Sequence, residues 1–283
     1  VWRVRFGIVA DCQYADADRA GTERYYRQSL AKLEDAVRVF NSQRLSFVVS
    51  LGDLVDRHTQ DAGPVHDVLA ELTAPVLHLL GNHDLLATDG DLPAALSMLG
   101  MAEPYYSRTH PGLRMIFLNT NEDSALVERR GSQTWEWRVA ELAARAEAGE
   151  VNARRWNGAV GEAQLVWLRR ELARAADVGQ RVVVSQHGPV APLSEHTTLN
   201  ADEVLATLDG GATLWAVFAG HHHRGSFVVR RGIPHLTFQG MVQTPENAFA
   251  VVTVERDHLV VEGYGRETSR RLHYPSADAR RST

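Results

Sequence analysis

Two residue types are almost missing from this 283-residue chain: Cys12 is the only cysteine and Lys32 the only lysine. A single cysteine excludes an internal disulfide and any zinc or iron–sulfur site built from several thiolates. A single lysine, in a helix-like run with no glycine-rich loop before it, argues against P-loop phosphate binding and Schiff-base chemistry. No apolar run approaches the roughly 20 residues that a membrane-spanning helix needs, so no membrane partner is expected. The first residues alternate as a strand does and lack the apolar stretch of a signal peptide, so a cytoplasmic location is expected. Net positive charge is lacking as well. The 30 Lys+Arg against 35 Asp+Glu leave −5, which argues against nucleic acid as a main partner. Histidine, by contrast, is abundant at 13 residues.

With 44% apolar and 23% charged residues the composition is that of an ordinary globular chain. Short β-branched runs at 6–10, 46–51, 75–80, 113–118, 181–185 and 214–219 stop at polar or glycine clusters. Such nearly continuous apolar runs suit strands buried on both faces. Helical spacing occupies 23–40, 64–72, 92–99, 134–148, 161–176 and 201–208. The alternation predicts an α/β layered domain. After Arg224 the pattern turns to strands at 226–230, 235–239, 249–254 and 258–262, which read as a second, more antiparallel sheet. We expect one domain over 1–275, an excursion covering one end of the sheet at about 121–160, and a flexible tail at 276–283.

Five strand ends carry groups able to bind a metal: Asp11 and Gln13; Asp53 after Gly52; Asn82, His83 and Asp84 after Gly81; His187; and His221, His222 and His223 after Gly220. The crevice at the carboxyl ends of strands is where α/β sheets bind ligands, so these groups should converge there. Asp11, Gln13, Asp53, Asn82, His187, His221 and His223 offer oxygen and imidazole donors, a set suited to Mn²⁺, Fe, Zn²⁺ or Mg²⁺. Seven donors exceed what one ion takes while keeping room for water. Two ions sharing a carboxylate, for which Asp53 is the natural bridge, accommodate them. If residues 221–223 are extended, His221 and His223 point one way and His222 the other.

The ordered set Asp-x-Gln, Gly-Asp-x-x-Asp, Gly-Asn-His-Asp, a strand-end His and Gly-His-x-His resembles the calcineurin-like metallophosphoesterase superfamily. The resemblance implies a four-layer α/β/β/α sandwich with a two-metal site. One ion would be held by Asp11, Gln13, Asp53 and His223, and the other by Asp53, Asn82, His187 and His221, with His83 facing substrate. The superfamily's commoner first motif is Asp-x-His. Gln13 offers a neutral amide oxygen instead, which favours a harder ion and makes Mn²⁺ the first expectation. Asp56 stands where the purple acid phosphatases have tyrosine, so their iron charge-transfer chemistry is not expected.

The runs 7–16, 21–30, 156–159, 164–168 and 218–223, with Gly265 and Arg266, look like the manganese-dependent ADP-ribose/CDP-alcohol diphosphatases. That resemblance implies hydrolysis of the phosphoanhydride of a small nucleoside diphosphate derivative by hydroxide from a metal-bridging water. His83, oriented by Asp53 or Asp84, would stabilise charge or protonate the leaving oxygen. Arg24 or Arg27 would fork onto phosphate, Trp156 would stack on a base, and Asn157 would face substrate. Asp84 and Asp56 would support the ligands. A phosphodiesterase for cyclic nucleotides or glycerophosphodiesters is the alternative with the same site. A non-catalytic interaction module is a third reading, disfavoured because His83 and all seven ligand positions are present. Eight histidines, at 58, 66, 78, 110, 196, 235, 258 and 273, receive no role.

Overall fold

A computed structural model describes residues 2–18, 21–128 and 130–274; the expected tail at 276–283 lies outside them. The elements are β1 (Val4–Val9), α1 (Gln28–Asn41), β2 (Phe47–Ser50), α2 (Ala62–Ala70), β3 (Val76–His78), α3 (Asn82–Ala87), α4 (Leu92–Leu99), β4 (Tyr106–His110), β5 (Leu113–Leu118), α5 (Gln133–Glu147), α6 (Glu162–Asp177), β6 (Arg181–Gln186), α7 (Ala201–Asp209), β7 (Leu214–Ala219), β8 (Ser226–Arg230), β9 (Ile233–Thr237), β10 (Ala248–Val254), β11 (His258–Gly265) and β12 (Arg270–His273).

Two six-stranded sheets form, in the orders β12-β11-β10-β1-β2-β3 and β4-β5-β6-β7-β9-β8. Period-two alternation sorts each strand's side chains between two cores. Val4, Phe6 and Ile8 of β1, Met115 and Phe117 of β5, Val183 of β6 and Phe218 of β7 share one core between the sheets, where Phe6 stacks on Phe47 at 4.8 Å. Val9 and Val48 face outward to Leu33, Val37 and Phe40 of α1 and Val65 of α2. Ile116, Leu118, Val182 and Val184 face outward from the other sheet to Leu168 and Leu172 of α6 and Val204 and Leu208 of α7. The result is helices, sheet, sheet, helices: the expected four-layer α/β/β/α sandwich.

Local chemistry sets the helix ends. Asp91 caps α4 by accepting from Ala94 N at 3.0 Å, and Gly100 ends it at φ 67°, a left-handed turn that glycine adopts without strain. Ser132 caps α5 through Trp135 N at 3.1 Å. Within the expected excursion, α5 buries Leu142, and among the described residues no strand forms between β5 and β6.

One expectation is corrected. The strands after Arg224 do not make a sheet of their own: β8 and β9 extend the second sheet, and β10, β11 and β12 complete the first beside β1. Their antiparallel pairing was readable, but the partner was not. Register is set by a match over the whole chain, with Val4 opposite Val254 and Ile8 opposite Ala250.

Parallel pairings run β1–β2–β3 in one sheet and β5–β6–β7 in the other. The carboxyl ends of β1, β2, β3, β6 and β7 therefore meet at one end of the sandwich, where Gly220 N donates to His187 O and Asp11 N to Gly52 O.

Candidate metal centre

The loops after β1, β2 and β7 turn sharply at the polar residues themselves. Asp11, Gln13, Asp53 and His221 have φ of 49°, 42°, 55° and 68°, a left-handed conformation that costs an L residue energy and persists where surrounding structure enforces it. Such strain concentrates at functional sites. Gly81 is required here: a Cβ on it would lie 2.0 Å from Asp53 Oδ1 and 2.2 Å from Asp53 N. The carboxylate of Asp84 then ties two turns together by accepting from Asp53 N, Leu54 N and Gly81 N, each at 2.9 Å. Burial and the neighbouring Asp53 charge push the Asp84 carboxyl up to about 7 against those donors.

The loops bring the seven expected ligands together. Asp53, His187 and His221 present ligand atoms all within 4.8 Å of one another, and all three are buried. His187 Nε2 lies 3.3 Å from Asp53 Oδ2 and 3.1 Å from Asn82 Oδ1, while His223 Nε2 lies 3.5 Å from Asp11 Oδ1. Gln13 Nε2 donates to Asp53 Oδ2 at 3.0 Å, leaving the buried Gln13 Oε1 without a hydrogen-bond partner among the described residues. An orphaned amide oxygen beside a buried carboxylate suits a cation. The donors are carboxylates, amide oxygens and imidazoles with no thiolate, so the residues present fit divalent metal ions of the harder kind.

Second contacts orient the imidazoles. His187 Nδ1 donates to Leu51 O at 2.7 Å, and His223 Nδ1 lies 3.2 Å from Gln243 Oε1. Burial pushes the Asp53 carboxyl up, but His187 and His83 outweigh it and hold it well below the usual carboxylate range. Burial and the positive His187 hold His221 well below the ordinary imidazole value.

A cavity of about 680 Å³ opens over the cluster, lined among others by Arg24, His83, Trp156, His196, His222 and Arg224. His83 Nδ1 is 2.8 Å from Asp56 O and 3.1 Å from Asp56 Oδ1, and its Nε2 is 3.5 Å from the Arg24 guanidinium. Burial lowers the His83 pKa, but Asp53 and Asp56 outweigh it and raise it. The orienting group is therefore Asp56. Asp53 accepts the His83 main-chain N–H at 2.8 Å, and Asp84 is occupied by backbone donors, so neither performs the expected role on the ring.

Further placements differ from expectation. Arg27 is exposed and paired with Asp16, at 2.6 Å, and with Asp18, away from the cavity lining. Asn157 is buried and contacts His221, as described below, instead of facing the cavity. The 221–223 segment is not extended: the positive φ of His221 turns the chain, which brings His222 to the cavity wall, its ring stacked 4.6 Å from that of His196. His196, given no role from sequence, and Gln243 were missed because each comes from a loop without a strand-end motif.

The scarce residues also find their places. Lys32 Nζ donates to Met241 O at 2.7 Å and Thr244 O at 2.6 Å, pinning the turn that carries Gln243. Cys12 is buried, and burial pushes its thiol up to about 12, which leaves it inert.

A family model described as calcineurin-like phosphoesterase matches residues 4–225, the span that carries every ligand loop. The chain is a calcineurin-like phosphoesterase. This phosphoesterase is 31% identical to the manganese-dependent ADP-ribose/CDP-alcohol diphosphatase of Oryza sativa subsp. japonica, over 91% of its own length and 90% of the relative's. It is 29% identical to the protein of the same name from Danio rerio, over 92% and 95%. A crystal structure described as a dimetal phosphatase from Danio rerio superposes with a TM-score of 0.83 at 28% identity, covering 96% of this chain and 99% of that one.

Proposed function

We propose that this phosphoesterase hydrolyses the phosphoanhydride bond of small nucleoside diphosphate derivatives, ADP-ribose and CDP-alcohols first, with two divalent ions, manganese foremost. The buried Asp53–His187–His221 cluster beneath a cavity that also holds His83 and Arg24 carries this reading, together with the names of the relatives. Asp11, Gln13, Asp53 and His223 would hold one ion, and Asp53, Asn82, His187 and His221 the other. When bound, such ions supply Lewis acidity and a water of lowered pKa.

The chain's own residues supply the rest. The Arg24 guanidinium, 3.9 Å from Asp56 Oδ1 and about a third exposed, is placed to fork onto a phosphate oxygen. Asp56 holds the His83 proton at Nδ1 and fixes the ring, so that Nε2 meets the cavity and can give a proton to the leaving phosphate oxygen. Water adds across the P–O–P link and leaves two phosphate monoesters. Trp156, on the cavity wall and 40% exposed, offers a flat apolar face to a base or sugar.

The test is a product-resolved panel of ADP-ribose, CDP-choline, CDP-glycerol, cyclic AMP and p-nitrophenyl esters with Mn²⁺, Mg²⁺ and Zn²⁺. AMP from ADP-ribose and CMP from the CDP-alcohols, fastest with Mn²⁺, are expected. Turnover confined to cyclic AMP or the phenyl esters would replace this reading with the phosphodiesterase one.

A further inference from the structure

Asn157 lies next to the cavity-lining Trp156 yet is only 2% exposed. Its Nδ2 donates to two main-chain carbonyls, Asn152 O at 2.9 Å and Glu195 O at 2.8 Å. Carbonyl oxygens accept and never donate, so the amide cannot be reversed without placing its oxygen against two others. Oδ1 is therefore the atom 2.9 Å from His221 Nε2. An amide oxygen can only accept, so Nε2 must carry a proton. A neutral imidazole carries one N–H, which leaves the lone pair on His221 Nδ1.

The opposite arrangement holds next door. His187 donates from Nδ1 to Leu51 O, and its Nε2 faces the oxygens of Asp53 and Asn82, so without a metal both nitrogens donate and Nε2 is the one that would give up its proton to an ion. The two rings, with centroids 5.0 Å apart and planes at 63°, thus offer different nitrogens to the same buried space.

We propose that Asn157 is a positioning residue: it fixes His221 as the Nε2–H tautomer and so commits Nδ1 to the metal ion shared with Asp53, Asn82 and His187. A metal-bound imidazole whose other nitrogen donates to an oxygen acceptor is held in orientation and made more basic, and losing that acceptor typically weakens the metal about 10–100-fold. The local sequence serves this placement. Gly158 lies so close to the 120–121 turn that a Cβ would be 2.6 Å from Thr120 O and 2.7 Å from Asn121 Cα. Only a residue without a side chain lets this segment approach closely enough to bring Asn157 to the ring. Glu195 O also accepts from Trp156 Nε1 at 3.2 Å, so the cavity wall and the ligand's orientation share one anchor.

The inference rests on the reading of the cluster as a metal centre, and the experiment separates the two. Mn²⁺ binding to metal-free protein is followed by calorimetry, and the His221 tautomer by long-range ¹H–¹⁵N correlation on metal-free, ¹⁵N-histidine-labelled protein. Wild type should bind two ions and show His221 as Nε2–H. Asn157→Ala should keep one ion at wild-type affinity and bind the other about 10–100-fold more weakly, whereas a merely structural role would lower the melting temperature without splitting the two affinities. Asn157→Asp, which keeps an acceptor oxygen, should restore the second ion. Two ions bound at wild-type affinity by folded Asn157→Ala would overturn the proposal. So would a wild-type His221 protonated at Nδ1, a measurement that needs no variant to fold. Wild-type protein that binds no divalent ion would instead sink the metal-centre reading itself.

Discussion

His83 and Asp56 meet twice: the imidazole Nδ1 is 2.8 Å from the Asp56 carbonyl and 3.1 Å from its carboxylate Oδ1. Asp56 thereby fixes where the proton sits on the ring, and together with the Asp53 charge it makes the ring more readily charged. Proton delivery by such a group contributes roughly 10²–10⁴-fold to a rate, and it matters most when the leaving oxygen is a poor leaving group. His83→Ala should therefore damage hydrolysis of a phosphodiester more than that of a phosphoanhydride, whose phosphate leaves with little help. Asp56→Asn should show the same ordering with smaller losses. Equal fold-losses in kcat/KM on the two substrate classes would remove His83 from the role of proton donor.

The two arginines expected to meet phosphate separate cleanly in space. Arg24 lines the cavity, so Arg24→Ala should lose about 1.5–3 kcal/mol of a charge-assisted contact, roughly 10–150-fold in kcat/KM. Arg27 is an exposed partner of Asp16 and Asp18, and Arg27→Ala should leave both kcat/KM and the melting temperature unchanged. Steady-state kinetics on ADP-ribose for both variants checks the pair.

Gly81 carries no chemistry of its own, yet its replacement should empty the centre. A Cβ 2.0 Å from Asp53 Oδ1 and 2.2 Å from Asp53 N forces the Asp53 carboxylate to move. Gly81→Ala, purified and analysed for bound metal, should retain less manganese than wild type. A full complement in that variant would show that the turn can yield without moving Asp53.

The positive-φ turns at Asp11, Gln13, Asp53 and His221 imply that metal and fold support each other. Any ion that binds only the folded chain stabilises it by mass action, about 2.7 kcal/mol at a hundredfold excess over Kd. Chelation should lower the melting temperature and added Mn²⁺ restore it. Gln13→His should shift the preferred ion from Mn²⁺ towards Zn²⁺, because imidazole replaces an amide oxygen. Melting curves with each ion would detect both effects.

Acid should weaken the fold through His235 in β9. Burial first, then Arg230, hold its pKa down to about 4, with Asp209 opposing, and its Nδ1 has no partner among the described residues. The unfolded chain binds this proton near pH 6.5 and the folded chain near 4. The stability is thus fully present above about 6.5 and is lost as pH falls towards 4, by about 3 kcal/mol at 1.36 kcal/mol per pKa unit. Urea unfolding of His235→Leu, with chelator present in every sample, should show a flatter profile than wild type between those limits.

The sequence carried the ligand loops because strand ends are local events: a buried apolar run, a glycine, then Asp53 or Asn82. Helix α4 was legible end to end, since Asp91 and Gly100 mark its limits by local chemistry. Strand β4 was missed because Tyr106–His110 is an edge strand with no apolar run, and α3 because Asn82–Ala87 is a single short helix inside a ligand loop. The errors at His222 and Asn157 share one cause. The direction of His222 was inferred from strand alternation and that of Asn157 from the family resemblance, while the actual direction is set by a positive φ at His221 and by two distant carbonyls around Asn157. Gln243 had no sequence signal at all, since it reaches His223 on a turn held by Lys32 from another element.

Strand β1 lies between β2 and β10, so the strand at Val4–Val9 takes one neighbour from the far segment Ala248–Val254. Until residues 248–254 emerge, Val4, Phe6 and Ile8 present an unpaired apolar edge, the kind of template that recruits other chains. Asp11 follows that strand directly, and its carbonyl and that of Ala10 accept from Val242 N and Met241 N on the approach to β10. A chain ending near residue 230 would keep all seven candidate ligands and still fail to assemble the centre. Birth of the active site thereby waits for the segment that leads into β10, and a chain cut before that segment yields sticky, metal-poor protein instead of a shorter working enzyme.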